Sequence, residues 1–325
     1  MSATTIESNP LIQPPWKSLA TVRDSRFHRT CTAGHTGQAA GTMPTTAVAG
    51  RRGVVAALQL PRPDDMPHLI LSVSPCRSGT TVMLRVLGAM GVESHFQPLK
   101  NVLRWRLEGE IRPWRLAAGA NRTVYLNETL GPYTFAEATF NPLQLLLEAG
   151  VPAAKLHILI CGRHPLATWT SWQKWWRDQT TLDYLLAAYQ TTEKIRQQAL
   201  AANLTTTMLV YEAFDQVSSS AVVKRLARRL QVPFTPKAIT QWATLPPFGS
   251  RQSNVILPEE PARFITLGIH DRVHQANALV FHSVPTEAMA TIAPYDQERL
   301  RRAGLFALYD RWQGQCAADL QLLRK

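Results

Sequence analysis

Leu69-Ile70-Leu71-Ser72-Val73-Ser74-Pro75-Cys76-Arg77-Ser78-Gly79-Thr80-Thr81 is the stretch on which the fold turns. Leu69–Val73 is a nearly continuous apolar run, the signature of a strand buried on both faces. Small residues follow, and an amphipathic segment, Thr81–Met90, begins at once. A buried strand, a tight turn and a helix start in that order gather backbone N–H groups and the positive end of a helix dipole around one point, where an anion is favoured. Gly79 permits close approach of the backbone, Ser78, Thr80 and Thr81 bring hydroxyls without bulk, and Arg77 brings a positive charge. Without Arg77, the same run reads equally well as an exposed strand–turn–helix junction.

From Pro67 onward short apolar runs alternate with longer amphipathic ones, which predicts an α/β fold of three layers, a parallel sheet flanked by helices. Predicted strands are Leu69–Val73, Thr123–Leu126, Leu156–Cys161 and Thr206–Val210. Predicted helices are Thr81–Met90, Pro142–Ala149, Leu166–Arg177, Leu182–Leu200, Ser219–Leu230 and Asp296–Gln313, with Gly91 and Gly150 where helices stop. Pro246–Pro261 reads as a surface loop, and there is no internal repeat. Residues 1–65 form an expected disordered extension, Thr-, Ala-, Gly- and Pro-rich to about Gly53, and residues 66–325 a single domain. The extension reads as a regulatory tail, a transit-like leader, or sequence upstream of a start at Met66.

A second anion site is expected eighty residues on. The strand Leu156–Cys161 ends in Gly162-Arg163-His164-Pro165, which puts Arg163 at the carboxyl edge of a parallel sheet, where open α/β sheets bind ligands. Ser171 lies eight residues after Arg163, about two turns into the helix, and can share a phosphate with the guanidinium. Taken alone, the segment also reads as a capping arginine with a solvent-facing serine. A Walker A loop needs glycine at 74 and lysine at 80, where this chain has Ser74 and Thr80, so ordinary ATP chemistry is disfavoured.

Together, Pro75-Cys76-Arg77-Ser78-Gly79-Thr80-Thr81, then Arg163-His164-Pro165 and Ser171, resemble the paired motifs of sulfotransferases that use 3′-phosphoadenosine 5′-phosphosulfate (PAPS). Val210-Tyr211-Glu212 is similar to that family's Tyr-Glu segment, and Val223–Pro233 to its next helix and turn, so the resemblance spans roughly residues 67 to 235. It implies the sulfotransferase variant of the P-loop fold. It also implies a PAPS site in which Arg77, Ser78, Gly79, Thr80 and Thr81 hold the 5′-phosphosulfate, Arg163 and Ser171 the 3′-phosphate, and Tyr211 lies near the adenine. Where many relatives carry Lys-x-His, this chain has Asn127 and no histidine, which makes Glu128, just beyond the predicted strand, the expected base. Glu128 equally reads as a helix-start glutamate bound to local N–H groups. His95 is the second candidate base, on a loop expected to curve over the cleft, with Lys100 as an extra sulfate contact. Arg77 is expected to stabilise charge on the transferring group. Val82 stands where relatives often have tryptophan, with Tyr211 or Trp169 as substitutes, and Arg263 or Arg272 would replace a basic C-terminal loop.

The chain has 325 residues, with 35 Lys and Arg against 23 acids and a net charge of +12, which favours anionic partners. Cys31, Cys76, Cys161 and Cys316 lie far apart, without metal-site or disulfide spacing, and a reduced, cytoplasmic setting is expected. No apolar run reaches the ~18–20 residues of a membrane span, and no metal is expected. His270 and His274 are spaced like two metal ligands but lack a third, and read as a surface helix. Trp169, Trp172, Trp175 and Trp176 recur at helical spacing, as core or as a wall for a hydrophobic acceptor. Arg104, Arg106, Arg112 and Arg115, interleaved with Trp105 and Trp114, are candidates to steer an anion. The expected function is sulfuryl transfer from PAPS to a hydroxyl of a small or carrier-bound acceptor, with no nucleic-acid partner. The alternatives are a P-loop kinase of small molecules and a non-catalytic basic module binding nucleic acid.

Overall fold

A computed structural model describes residues 53–322. Its strands are β1 (Leu58–Gln59), β2 (His68–Pro75), β3 (Glu93–Phe96), β4 (Trp114–Arg115), β5 (Thr123–Leu130), β6 (Leu156–Gly162), β7 (Thr205–Val210) and β8 (Val255–Ile256). Six of them form one sheet in the order β7-β6-β2-β5-β3-β8, with every pairing parallel. β1 and β4 make a separate parallel pair. The principal helices are α1 (Thr80–Ala89), α2 (Pro98–Leu107), α3 (Pro142–Glu148), α4 (Pro165–Trp176), α5 (Leu182–Ala201), α6 (Ser219–Arg229), α7 (Asp271–Gln275), α8 (Pro294–Arg302) and α9 (Leu305–Asp319).

The fold class is therefore α/β, a parallel sheet flanked by helices. β2 is buried from Leu69 to Pro75. It lies between β5 and β6, and the chain leaves it through α1 to β3, returns to β5, and then crosses to β6. This reversal of direction makes the carboxyl end of β2 a topological switch point, the crevice where such sheets take ligands. The loop after β2 and the end of β6 both open there.

Several boundaries differ from the sequence expectation. β5 runs on past Leu126 through Asn127, Glu128, Thr129 and Leu130, all of them buried. Polar residues in a central strand look like its end, but here Glu128 meets the first amides of α2, and Thr129 meets Lys100 and Cys76. His95 belongs to β3 rather than to a loop, and Pro246–Pro261 contributes β8, which pairs with β3. The long C-terminal helix is two, α8 and α9, separated at Gly304, whose φ of 72° suits glycine. Val54, Ala57 and Leu58, inside the expected extension, are buried, so a start at Met66 would remove β1 and its core contacts. Residues 1–52 of that extension, and Cys31 with them, lie outside the described residues.

The end of β6 is fixed by an absence of side chain. A methyl at Gly162 would lie 2.6 Å from Trp312 Cε3, so α9 packs directly on the strand that carries Arg163. Gly162→Ala is expected to lower stability by about 1–3 kcal/mol through overpacking. The check is the denaturant midpoint, and an unchanged midpoint would show that Trp312 yields freely.

Candidate functional site: two guanidinia at the sheet's carboxyl edge

The loop after β2 is held from below. Trp172 Nε1 donates to Cys76 O at 2.9 Å, Ser78 Oγ to Pro75 O at 2.9 Å, and Cys76 N to Leu130 O at 3.0 Å. Two residues turn through left-handed backbone, Arg77 at φ 74° and Gly79 at φ 86°. Arg77 has a Cβ and is strained there, by roughly 1–3 kcal/mol. Gly79 is required twice, because a methyl there would also lie 2.9 Å from Tyr211 Cδ2. Thr80 and Thr81 form the first turn of α1, whose free N–H groups open toward the same point.

The second motif reaches that loop directly. Arg163 Nη1 donates to Arg77 O at 2.9 Å, and Arg77 Nε donates to Ser171 Oγ at 3.0 Å from α4. The Arg163 guanidinium lies 4.3 Å from the centroid of the Tyr211 ring, and Tyr211 Oη both donates to His282 O and accepts from His282 N. Arg77, Ser78, Gly79, Thr80, Thr81, Arg163, Ser171 and Tyr211 are thus gathered into one place. Three side chains fasten the arginine end. Glu212 accepts from His164 N and from Tyr309 Oη, and Tyr189 Oη donates to Arg163 O at 2.6 Å.

Electrostatics give the place its character. Among the described residues neither Arg77 nor Arg163 has a carboxylate in ion-pair contact, and the Arg163 Nε is buried without a partner. Burial, then the charge of Arg163, push the Arg77 guanidinium down to about 10, and Arg272 adds a smaller push in the same direction. Two buried like charges with an orphaned donor are complementary to an anion carrying more than one charge. Arg272, not Arg263, stands by the cradle; Arg263 contacts Glu108 at 3.4 Å. The same unneutralised state is not found at the arginine–tryptophan segment. Arg104 is buried against Glu137 and Glu260, and Arg112 contacts Glu110 and Glu259 while lying 3.4 Å from the Trp105 centroid.

Glu128 and His95 are placed elsewhere. The Glu128 carboxylate is fully buried, accepting from Leu99 N at 2.7 Å and Lys100 N at 3.1 Å, so it caps α2 with both oxygens. Burial pushes it up to about 7, against the pull of those two amides and of the Lys100 charge. His95 has Nε2 at 2.9 Å from Glu93 Oε1 and Nδ1 at 3.4 Å from Trp114 Nε1, which occupies both ring nitrogens. Lys100 is wholly buried, donating to Thr129 Oγ1 and to Gly131 O at 2.9 Å, and it braces the loop rather than lining the cradle. Of the four tryptophans on α4, Trp169, Trp172 and Trp176 are core, and half-buried Trp175 lies 5.8 Å from the Arg77 guanidinium.

One residue beside the cradle was read from the sequence only as part of a surface helix. His270 immediately precedes α7, follows the carbonyl of Ile269 that accepts from Arg77 Nη1 at 3.3 Å, and packs edge-on against Phe96 at 5.4 Å. Its four-residue spacing from His274 does not point to this site, to which it is brought by a long excursion after β8. No group of three or more possible metal ligands occurs among the described residues. The chain matches no family model and no curated protein.

Because Glu128 is held above its ordinary 4.5, it favours the folded state below that pH and loses this contribution as pH rises through about 7. Glu128→Gln is therefore expected to remove a fall in Tm between about pH 4.5 and 7 that the wild type shows. It is also expected to lower Tm at pH 7, since one of the two N–H donors loses its acceptor, at about 1–3 kcal/mol. Thermal melts across that range check both, and parallel curves would contradict the first.

Proposed function

We propose that this chain is a sulfotransferase that moves a sulfuryl group from PAPS to a hydroxyl acceptor, on the sulfotransferase variant of the P-loop fold. The reading is carried by one observation: Arg163 donates to the main-chain carbonyl of Arg77, so two guanidinia without carboxylates meet across the loop–helix junction that follows the central strand. PAPS bears anionic charge at both ends of one nucleoside, and a cradle with two cationic positions suits it better than a single triphosphate site. The unpartnered Arg163 Nε supports the fit, as does the space that only glycine leaves at position 79.

In this reading the amides of the loop and of the first turn of α1, with Ser78, Thr80 and Thr81, hold the 5′-phosphosulfate, and Arg77 lies along it. Arg163 and Ser171 take the 3′-phosphate, while the Tyr211 ring, which already carries a guanidinium, borders the nucleoside. Sulfuryl transfer demands alignment of nucleophile and leaving oxygen and stabilisation of charge on the equatorial oxygens. Arg77 supplies the second, at neutral pH fully protonated because about 10 lies well above 7. A kinase reading lacks the lysine that contacts nucleotide phosphates, and in the nucleic-acid reading two of the four arginines of the arginine–tryptophan patch, Arg104 and Arg112, are taken up by the acids named above. No helix among the described residues is long and apolar enough to cross a membrane. Cys76, Cys161 and Cys316 are buried and unpaired, which supports a reducing, cytoplasmic setting.

Calorimetric titration tests the proposal. Adenosine 3′,5′-bisphosphate is expected to bind without magnesium, and Arg163→Ala to weaken it about 10- to 100-fold while affecting adenosine 5′-monophosphate much less. Equal losses would remove Arg163 from the 3′-phosphate. Magnesium-dependent ATP binding alone would favour the kinase, and steeply salt-dependent oligonucleotide binding alone the nucleic-acid module.

A further inference from the structure

We propose that residues 267–276 form an autoinhibitory strap: the main-chain carbonyl of Ile269 stands in for an anion on Arg77, and a ligand engages that guanidinium by displacing it. The inference rests on the sulfotransferase reading above for the identity of the ligand. A guanidinium grips a phosphate or sulfate through one of two forks, Nε with Nη2 or Nη1 with Nη2. In Arg77 each fork already has an acceptor. Nε donates to Ser171 Oγ at 3.0 Å, and Nη1 donates to Ile269 O at 3.3 Å. Neither acceptor carries charge, and a two-point grip on an anion requires that one of them leave. Ser171 is fixed, because it sits within α4 beside Trp172, which is wholly buried and bonded to Cys76 O. Ile269 O is the acceptor that yields. Its contact is longer than the roughly 2.9–3.0 Å that N–H donors favour, and a bond to a charged acceptor is about twice as strong as one to a neutral carbonyl.

The segment is built to move between firm ends. None of residues 267–276 is buried. On one side Phe264 is buried, and Thr266 is bonded to Tyr133 Oη and accepts from Trp176 Nε1 at 2.8 Å. On the other, Asn277 O accepts from Trp242 N at 2.8 Å, and buried Leu279 donates from its main chain to Ile239 O at 2.7 Å. Few buried groups between such anchors mark a stretch that opens at small cost. Gly268, at φ 75°, turns the chain from Thr266 toward Arg77 through backbone that suits glycine. Beyond Ile269 O, the strap rests on His270, edge-on to Phe96 at 5.4 Å, and on His274, 4.9 Å from the Phe248 ring. Arg272, also on the strap, carries the same charge as Arg77 and works against closure.

A strap of this kind lowers apparent affinity by the fraction of molecules in which it stands open. It differs in sign from a lid that folds down on a bound ligand. Loosening an autoinhibitory strap tightens binding, whereas loosening a closing lid weakens it.

Calorimetric titration of the full chain with adenosine 3′,5′-bisphosphate tests the sign. Gly268→Ala penalises the left-handed turn of the closed form, and is expected to tighten bisphosphate binding by up to about 5- to 30-fold, the cost of that turn for a residue with a Cβ. Adenosine 3′-monophosphate, whose one phosphate is assigned to Arg163, is expected to gain little. Weaker or unchanged bisphosphate binding in the folded variant overturns the proposal, and so does an equal gain for the two nucleotides, which would place the effect away from Arg77. Should Gly268→Ala fail to fold, His270→Ala, which gives up the contact with Phe96, decides by the same criteria. Bisphosphate binding by the wild type that the variant does not tighten removes the strap alone. If neither protein binds the bisphosphate, the sulfotransferase reading falls, and the same comparison with inorganic sulfate decides the strap by itself: tighter sulfate binding in the variant upholds it, and weaker or equal binding overturns it.

Discussion

Two guanidinium groups held near one another, buried and without a carboxylate, are the constraint around which this molecule is arranged. Like charges in such a setting repel, and leaving polar hydrogens unpaired there adds to the penalty. The fold answers with neutral acceptors: the carbonyls of Arg77 and Ile269, the Ser171 hydroxyl, and the face of Tyr211. None of these cancels charge. The remaining imbalance is a standing attraction for an anion, and Arg77 in left-handed backbone shows that strain is tolerated at the same point.

Rigidity around the pair comes from large side chains with polar tips. Trp172 underlies the loop and donates to Cys76 O; Tyr189 and Glu212 secure the turn that carries Arg163; Trp312 closes on Gly162 and donates to Glu193. The three aromatic ones, Trp172, Tyr189 and Trp312, bury apolar area while satisfying at least one hydrogen bond each, a combination suited to fixing a loop to a sheet. The tryptophan run on α4 therefore acts mainly as scaffold. Lys100 contributes in the same way, tying Thr129 and Gly131 to the neighbourhood of Cys76.

The parts of the site that could be read from the chain are those in which local order implies geometry. A strand followed by Arg77-Ser78-Gly79-Thr80 and a helix can only open at the sheet's carboxyl edge, and Gly162-Arg163 after a second strand opens beside it. Reading failed where burial and polarity conflict. Asn127, Glu128 and Thr129 look like the end of a strand, yet they continue β5, because α2 turns its N-terminal amides onto Glu128. β3 is four residues with a glutamate, a serine and a histidine, and β8 only two, too little pattern for any periodicity to register. His270 reaches the cradle through a long connection whose course is set by tertiary contacts, Thr266 with Trp176 and His282 with Tyr211 among them, and no local rule encodes these.

The charge state of the cradle follows from the same packing. Burial lowers the proton affinity of both Arg77 and His270, helped by the charge of Arg163 at the first and of Arg77 at the second, from ordinary values on opposite sides of neutrality. At neutral pH the arginine is therefore charged and the imidazole is not. An anion entering the clamp would offset the repulsion between the guanidinia and raise the proton affinity of Arg77. A carboxylate partner for Arg77 would stabilise the empty protein and abolish that response, since the arginine would already be neutralised. The absence of such a partner among the described residues is thus the feature that links the strain in the loop, the excess positive charge and the proposed chemistry.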